Sequence, residues 1–244
     1  MQILNPFGLL NNDLSKIVHV NEVDAGLNCN CYCPKCHSKL IAVHGAQKQW
    51  HFRHYNVEDC EGSFETAVHY LAKHVLVEKK EMRFPYLKVR TSRELWSLNT
   101  NPIMKETVFE RKLVRFDDVE DEVWMDGYIP DIVASLSGIK YLIEIVVTHD
   151  VSPDKLEWIR KKNIGNVRVD FSWAGYGINK SIISQCLYEG RAVIYSPRFN
   201  IVEWVHHPHE ADAQARVNEQ FINSAQGALD KNEKPKQVQL KLDF

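Results

Sequence analysis

From Ser63 onward, Phe64, Ala67, Val68, Leu71, Ala72, Val75 and Leu76 recur at three- and four-residue spacing. That is the period of one buried helix face, and Ser63 is placed to cap the helix. Glu65, His69 and Lys73 are spaced four apart on the same segment and form a stripe bordering the apolar face. Before this helix the pattern is strand-like only at Lys16–Val20, with a turn around Asp24–Gly26. After it, residues 84–125 read as β segments with polar turns, including LKVRTSREL and ETVFERKLVRF.

The clearest alternation lies in IPDIVASLSGIKYLIEIVV, beginning at Ile129. Ser137-Gly138 suits a two-residue hairpin turn, and counting outward pairs 136 with 139, 135 with 140 and 131 with 144. Ile132, Ala134, Leu136, Ile139, Ile143, Ile145 and Val147 then make one core face. Asp131 and Glu144 oppose each other on the other face, with β-carbons about 5 Å apart. Val146 shares that face, as does Lys140, roughly 13 Å away along the strand. Next come a helix capped by Ser152 with Pro153 at its first position, and a strand at Val167–Phe171. A short helix near 178–188 and a strand at Ala192–Tyr195 follow. Beyond His209 the chain turns polar, with DKNEKPKQ reading as a linker.

Composition narrows the class. Of 244 residues, 44% are hydrophobic and 25% charged, as in soluble globular proteins with room for one domain and a small module. A net charge of −2 gives no overall basic field. The start lacks a secretory pattern and no apolar run reaches a membrane span, so the expectation is a cytoplasmic protein. Three segments are expected: residues 1–62, a β module; 63–205, the main domain; and 206–244, a polar tail.

Five of the six cysteines (Cys29, Cys31, Cys33, Cys36 and Cys60) precede the long helix. Cys33-Pro34-Lys35-Cys36 is a knuckle supplying two thiolates to a tetrahedral zinc ion. Cys60 and His54 complete the preferred set, with His51 as the alternative fourth ligand and Cys29 and Cys31 as bystanders. A reduced, metal-free loop is the competing interpretation. Four closed ligands make a structural zinc site.

Opposed carboxylates among aliphatics call for a counter-ion. Mg²⁺ or Mn²⁺ held by Asp131 and Glu144 would serve, and would suit phosphodiester hydrolysis. Protonation of one carboxylate, or a bridging basic group, is the plainer solution. Glu65, His69 and Lys73 border the pair from the helix, or else form an ordinary boundary face; His149 and Lys155 follow the second strand.

Taken in order, CPKC, HFRH, SFETAVHYLAKHVL, PDIV, IEIVVTHDVSPDK and VDFS resemble the competence protein CoiA-like family over roughly residues 15–172. The resemblance implies an α/β, restriction-endonuclease-like central mixed sheet flanked by helices, with a small N-terminal zinc-binding β module. It also implies a PD-(D/E)xK nuclease in which Asp131 and Glu144 bind the metal. Glu65 matches the acidic helix residue of such enzymes, His69 and Lys73 fit the helix pattern, and His149 and Lys155 fit the TH…K segment. Val146 departs from it, standing where a lysine is usual. The expectation is therefore a divalent-metal-dependent DNA nuclease, a catalytically inactive DNA-binding adaptor on the same core, or a zinc-stabilised interaction protein.

The chain's last residues, QLKLDF, place Gln239, Leu240, Leu242 and Phe244 in the polar tail. Alternating apolar anchors there are similar to the peptide by which bacterial DNA-processing proteins bind the replication sliding clamp; a terminal strand packing on its own domain explains them equally.

Overall fold

The computed structural model describes residues 4–58, 60–92, 95, 103–193 and 200–230. The N-terminal module holds β1 (Phe7–Leu10), β2 (Ile17–His19) and β3 (Cys31–Tyr32) in one antiparallel sheet, and β4 (Leu40–Val43) with β5 (His51–His54) in a separate ribbon. Leu40, Ala42 and Phe52 face inward and pack with Val20, Cys29, Cys31 and Cys33 in a small core of their own.

Helix α1 (Ser63–Lys79) follows, with the apolar face expected from its spacing fully buried. Its cap differs from expectation: Ser63 is the first helical residue and Gly62 is the N-cap, without a side-chain capping bond. Gly62 sits at φ +76, so the chain leaves the N-terminal module through a left-handed turn that glycine adopts without strain. Thr66 closes the turn by donating its backbone N–H and hydroxyl to the Gly62 carbonyl at 3.0 and 2.9 Å.

Two short antiparallel pairs come next. β6 (Glu81–Phe84) pairs with β9 (Lys112–Arg115), and β7 (Leu87–Arg90) with β8 (Lys105–Phe109). The central sheet consists of β10 (Asp118–Asp121), β11 (Ile132–Leu136), β12 (Ile139–Val146), β13 (Gly165–Asp170) and β14 (Val202–His206), in that order. It is mixed: β12 and β13 run parallel, joined through helix α2 (Pro153–Lys162), and the other pairs are antiparallel. Helices α3 (Lys180–Glu189) and α4 (Glu210–Asp230) complete the mixed α/β architecture.

The hairpin register matches the count from the turn, running from Leu136↔Ile139 to Ile132↔Ile143. Ser137 and Gly138 both have positive φ, 50° and 79°, which twists the turn to fit the strands. One sheet face, with Ile132, Ala134, Ile143, Ile145 and Val147, packs into the main core with the apolar face of α1. Ile139 does not join it and is 58% exposed, because it abuts the turn beyond the covered area. The opposite face is also partly apolar. Val133 and Leu142 bury against Trp158 and Ile159 of α2, so helices cover the sheet on both sides.

The strand expected at Ala192–Tyr195 falls only partly within the described residues. Ala192 and Val193 lie outside any strand, residues 194–195 fall outside the described residues, and β14 lies beside β13. The polar stretch after His206 begins as α4, whose Ala213 and Val217 pack on Val89. Gln239, Leu240, Leu242 and Phe244 lie outside the described residues. Among the described residues no helix is long and apolar enough to cross a membrane.

Candidate functional site

Two constellations gather the chemistry-bearing residues. In the first, the Sγ atoms of Cys33, Cys36 and Cys60 and a ring nitrogen of His54 all lie within 4.8 Å of one another. Cys33 Sγ is 3.5 Å from Cys60 Sγ, and His54 Nε2 is 3.2 Å from Cys36 Sγ and 3.6 Å from Cys60 Sγ. Zn–S bonds near 2.3 Å and Zn–N bonds near 2.0–2.1 Å give tetrahedral edges of about 3.5–3.8 Å, so the spacing fits zinc. The β5 pleat selects the histidine. His54 points to the buried side with Phe52, while His51 points outward and its Nδ1 lies 2.9 Å from the Gln49 carbonyl. The alternative ligand His51 is thus outside the cluster, and Cys29 and Cys31 contact backbone carbonyls instead.

The four donors are positioned to bind a metal, consistent with structural zinc. Burial pushes the Cys33 thiol up to about 12. At Cys36 burial pulls the same way, but hydrogen bonds with Ser38, Cys33 and His54 together outweigh it and bring the thiol down to about 6.

The second constellation sits where β11 begins and β12 ends. Asp131 precedes β11, and its Oδ2 accepts the Ile145 N–H at 2.8 Å, pinning the carboxylate across the hairpin beside Glu144. Asp131 and Glu144 thereby meet on one face, as the register count requires. Glu144 is 4% exposed. Its Oε2 accepts from Lys155 Nζ at 2.6 Å, and its Oε1 is buried with no hydrogen-bond partner. Burial raises its carboxyl to about 7, with Lys155 pulling down and the Asp131 charge pushing up.

Lys155 comes from the first turn of α2. Ser152 caps that helix by accepting the Lys155 N–H, and Pro153 presets its first position. The cap aims the side chain back over the strand end, where Nζ also reaches the Ile129 carbonyl at 3.1 Å.

From α1 the stripe looks around the sheet edge as its spacing predicts. Lys73 Nζ lies 3.6 Å from Asp131 Oδ1 and 3.3 Å from Glu122 Oε1, and His69 Nδ1 lies 3.6 Å from Asp131 Oδ1. Burial holds the His69 imidazole below its usual range. Glu65, one turn earlier, meets His149 at 3.5 Å instead of the carboxylate pair. Burial works to raise the Glu65 carboxyl, but hydrogen bonds from Thr148 and His149 outweigh it and leave it below the ordinary value.

Three positions around Val146 therefore separate. Lys155 contacts Glu144, Lys73 contacts Asp131, and His149 turns away to Glu65. Val146 itself is buried on the same strand, and Lys140 pairs with Ser135 near the hairpin turn. Glu122 was not foreseeable as a partner; it is the last acid of the run DDVEDE, just past β10, held at φ +54. Nor was Arg168, opposite Glu144 on β13, which is engaged by Asp150 at 2.5 Å and Glu203 at 2.8 Å.

A Cys/His module with four donors positioned to bind a metal, joined to a mixed α/β sheet that carries a carboxylate–lysine cluster, is the class these features define. Residues 18–63 match the family model described as competence protein CoiA, N-terminal domain. That match supports the CoiA-like resemblance over the N-terminal Cys/His module. The match spans the four candidate metal ligands and stops at the first residue of α1, so the sheet domain lies beyond it. No curated protein and no solved structure matches the chain.

Proposed function

We propose that this protein is a divalent-metal-dependent DNA nuclease whose essential lysine has moved from the sheet to a helix. Its place among CoiA-like proteins points to a competence-related role. One observation carries the reading: Lys155 Nζ stands 2.6 Å from Glu144 Oε2 while the other oxygen of that buried carboxylate has no partner. A buried, half-satisfied carboxylate is costly, and a cation removes the cost. The donor set fits a hard ion: Asp131 and Glu144 would hold Mg²⁺ or Mn²⁺, which supplies Lewis-acid activation of a phosphodiester.

The chain's own groups have separable roles in this reading. Asp131 is fixed by the Ile145 N–H, Lys155 offers its charge to a scissile phosphate, and Lys73 and His69 orient Asp131. Purified protein incubated with single-stranded, duplex and branched DNA in Mg²⁺ or Mn²⁺ is expected to cleave, and Glu144→Ala to bring cleavage below detection. Absence of metal-dependent cleavage, or cleavage that survives the substitution, contradicts the proposal.

Binding of the ion should follow pH. With the Glu144 carboxyl raised to about 7, a proton competes with the metal below that value. Mn²⁺ affinity of the zinc-loaded protein is expected to rise up to about tenfold per pH unit towards pH 7 and to level off above it. Calorimetric titration reads this directly; a flat profile speaks against Glu144 as a ligand.

A second reading has its own support. Lys155 and Lys73 already face both carboxylates, as they would in a nuclease-like core that binds DNA without cutting it. That adaptor binds DNA but shows no metal-dependent turnover.

A further inference from the structure

Charge in this chain is segregated. Between Asp24 and Glu58 there is no carboxylate, and the intervening 33 residues carry Lys35, Lys39, Lys48 and Arg53. The whole chain has 30 Lys and Arg against 32 Asp and Glu, so everything outside this stretch balances to −6 while the stretch is +4. Within the stretch a zinc ion is balanced by the thiolates of Cys33 and Cys36, so the stretch stays positive; the third thiol, Cys60, lies beyond Glu58. All four basic side chains are exposed, and none forms an ion pair among the described residues.

The fold places Lys39 and Arg53 on one ribbon, with Lys48 in the loop that joins its strands and Lys35 in the cysteine knuckle before β4. The pairings Ile41↔Arg53 and Val43↔His51 put Arg53 on the outer face, while Leu40, Ala42, Phe52 and His54 point inward. Lys39 continues the outward register of β4, and its carbonyl accepts the Tyr55 N–H, so Lys39, Arg53 and Tyr55 form an outer patch. At the loop end, Lys48 adjoins Trp50, whose indole stacks on His44 at 3.9 Å and remains 40% exposed. At the zinc end, Lys35 donates to the Glu61 carbonyl at 2.6 Å, beside the turn into α1 that carries Glu65. Tyr55 is 41% exposed. Cations spaced along a ribbon with two exposed rings match a single strand: phosphates repeat, and every unpaired base offers a face for stacking.

We propose that the outer face of the β4–β5 ribbon is a binding site for single-stranded DNA. Lys35, Lys39, Lys48 and Arg53 contact phosphates, and Tyr55 and Trp50 stack on bases. The zinc module then grips substrate as well as stabilising itself. This site is independent of whether Asp131 and Glu144 support cleavage.

The test is fluorescence anisotropy of a labelled oligothymidylate with the zinc-loaded full-length protein, without Mg²⁺ or Mn²⁺. Four phosphate contacts predict a slope of log affinity against log salt of about −3, a loss of roughly 50-fold between about 50 and 200 mM salt. The double substitution Lys39→Ala/Arg53→Ala is expected to halve that slope at unchanged zinc content. Tyr55→Ala should weaken binding about 5- to 100-fold with the slope intact. Equal or tighter binding of the matching duplex or of an RNA strand overturns the assignment. So does a folded double variant with the affinity and slope of the natural chain. Because no hydrolysis can occur under these conditions, failure here leaves the nuclease proposal standing, and failure of cleavage leaves this one standing.

Discussion

Stripping zinc is expected to unfold the N-terminal module, the largest single loss foreseen for this chain. The module's separate core is small: Val20, Cys29, Cys31, Cys33, Leu40, Ala42 and Phe52. A segment of that size buries too little apolar surface to offset the entropy of ordering its loops. The ligands tie together its distant parts, with the knuckle at Cys33 and Cys36, His54 at the end of β5, and Cys60 just before α1. In zinc-finger peptides such sites contribute an apparent ~10–16 kcal/mol, and most of the module's order is expected to depend on the ion. Cys60→Ser or a strong chelator should therefore abolish hydrogen-exchange protection in β4 and β5. Phe7 of β1 packs in the main core with Phe64, so the first strand should lose less. Elemental analysis should find one zinc per natural chain. Full protection after zinc removal would make the cluster an ordinary group of reduced thiols.

Lys155→Met is the second large effect. The substitution keeps the length of the side chain and removes the charge next to Glu144 Oε2. If Lys155 stabilises charge developing on the scissile phosphate, cleavage should fall by about 10²–10³-fold, the usual loss for one preorganised donor. DNA affinity in the absence of Mg²⁺ should change little, since the ribbon and not Lys155 carries the basic surface. Burial would also drive the Glu144 carboxyl further up without its cation, so metal affinity at neutral pH should drop in the same variant.

The hairpin shows how much of this was readable from residues alone. A period of two and a Ser-Gly turn determine the register by counting, and so the facing of Asp131 and Glu144. The cysteine knuckle was equally legible, because its spacing is local; the choice between His54 and His51 stayed open in the sequence and falls to the β5 pleat. What sequence could not supply was the reach of side chains from other elements. Lys73 and Lys155 were both candidates for the valine gap, and only packing separates them: α2 lies across Val133 and Leu142, which brings its first turn to Glu144, whereas α1 covers the opposite face and meets Asp131 at the edge. His149 adjoins the strand end in sequence but turns to Glu65. Non-local partners such as Glu122 and Arg168 left no periodic signal. Of the strand expected at Ala192–Tyr195, Ala192 and Val193 lie outside any strand and residues 194–195 fall outside the described residues, while Val202–His206 was not foreseen as the strand beside β13.

Moving the lysine back tests the central claim most directly. Single-turnover cleavage in Mn²⁺ should be compared for the natural chain, Lys155→Met, and Lys155→Met combined with Val146→Lys. Val146 shares its strand face with Glu144, so a lysine there occupies the usual sheet position of this type of site. The account predicts strong cleavage, near-complete loss, and recovery of at least about tenfold in the double variant. Wild-type rates in Lys155→Met, or a folded double variant no better than the single one, would contradict it.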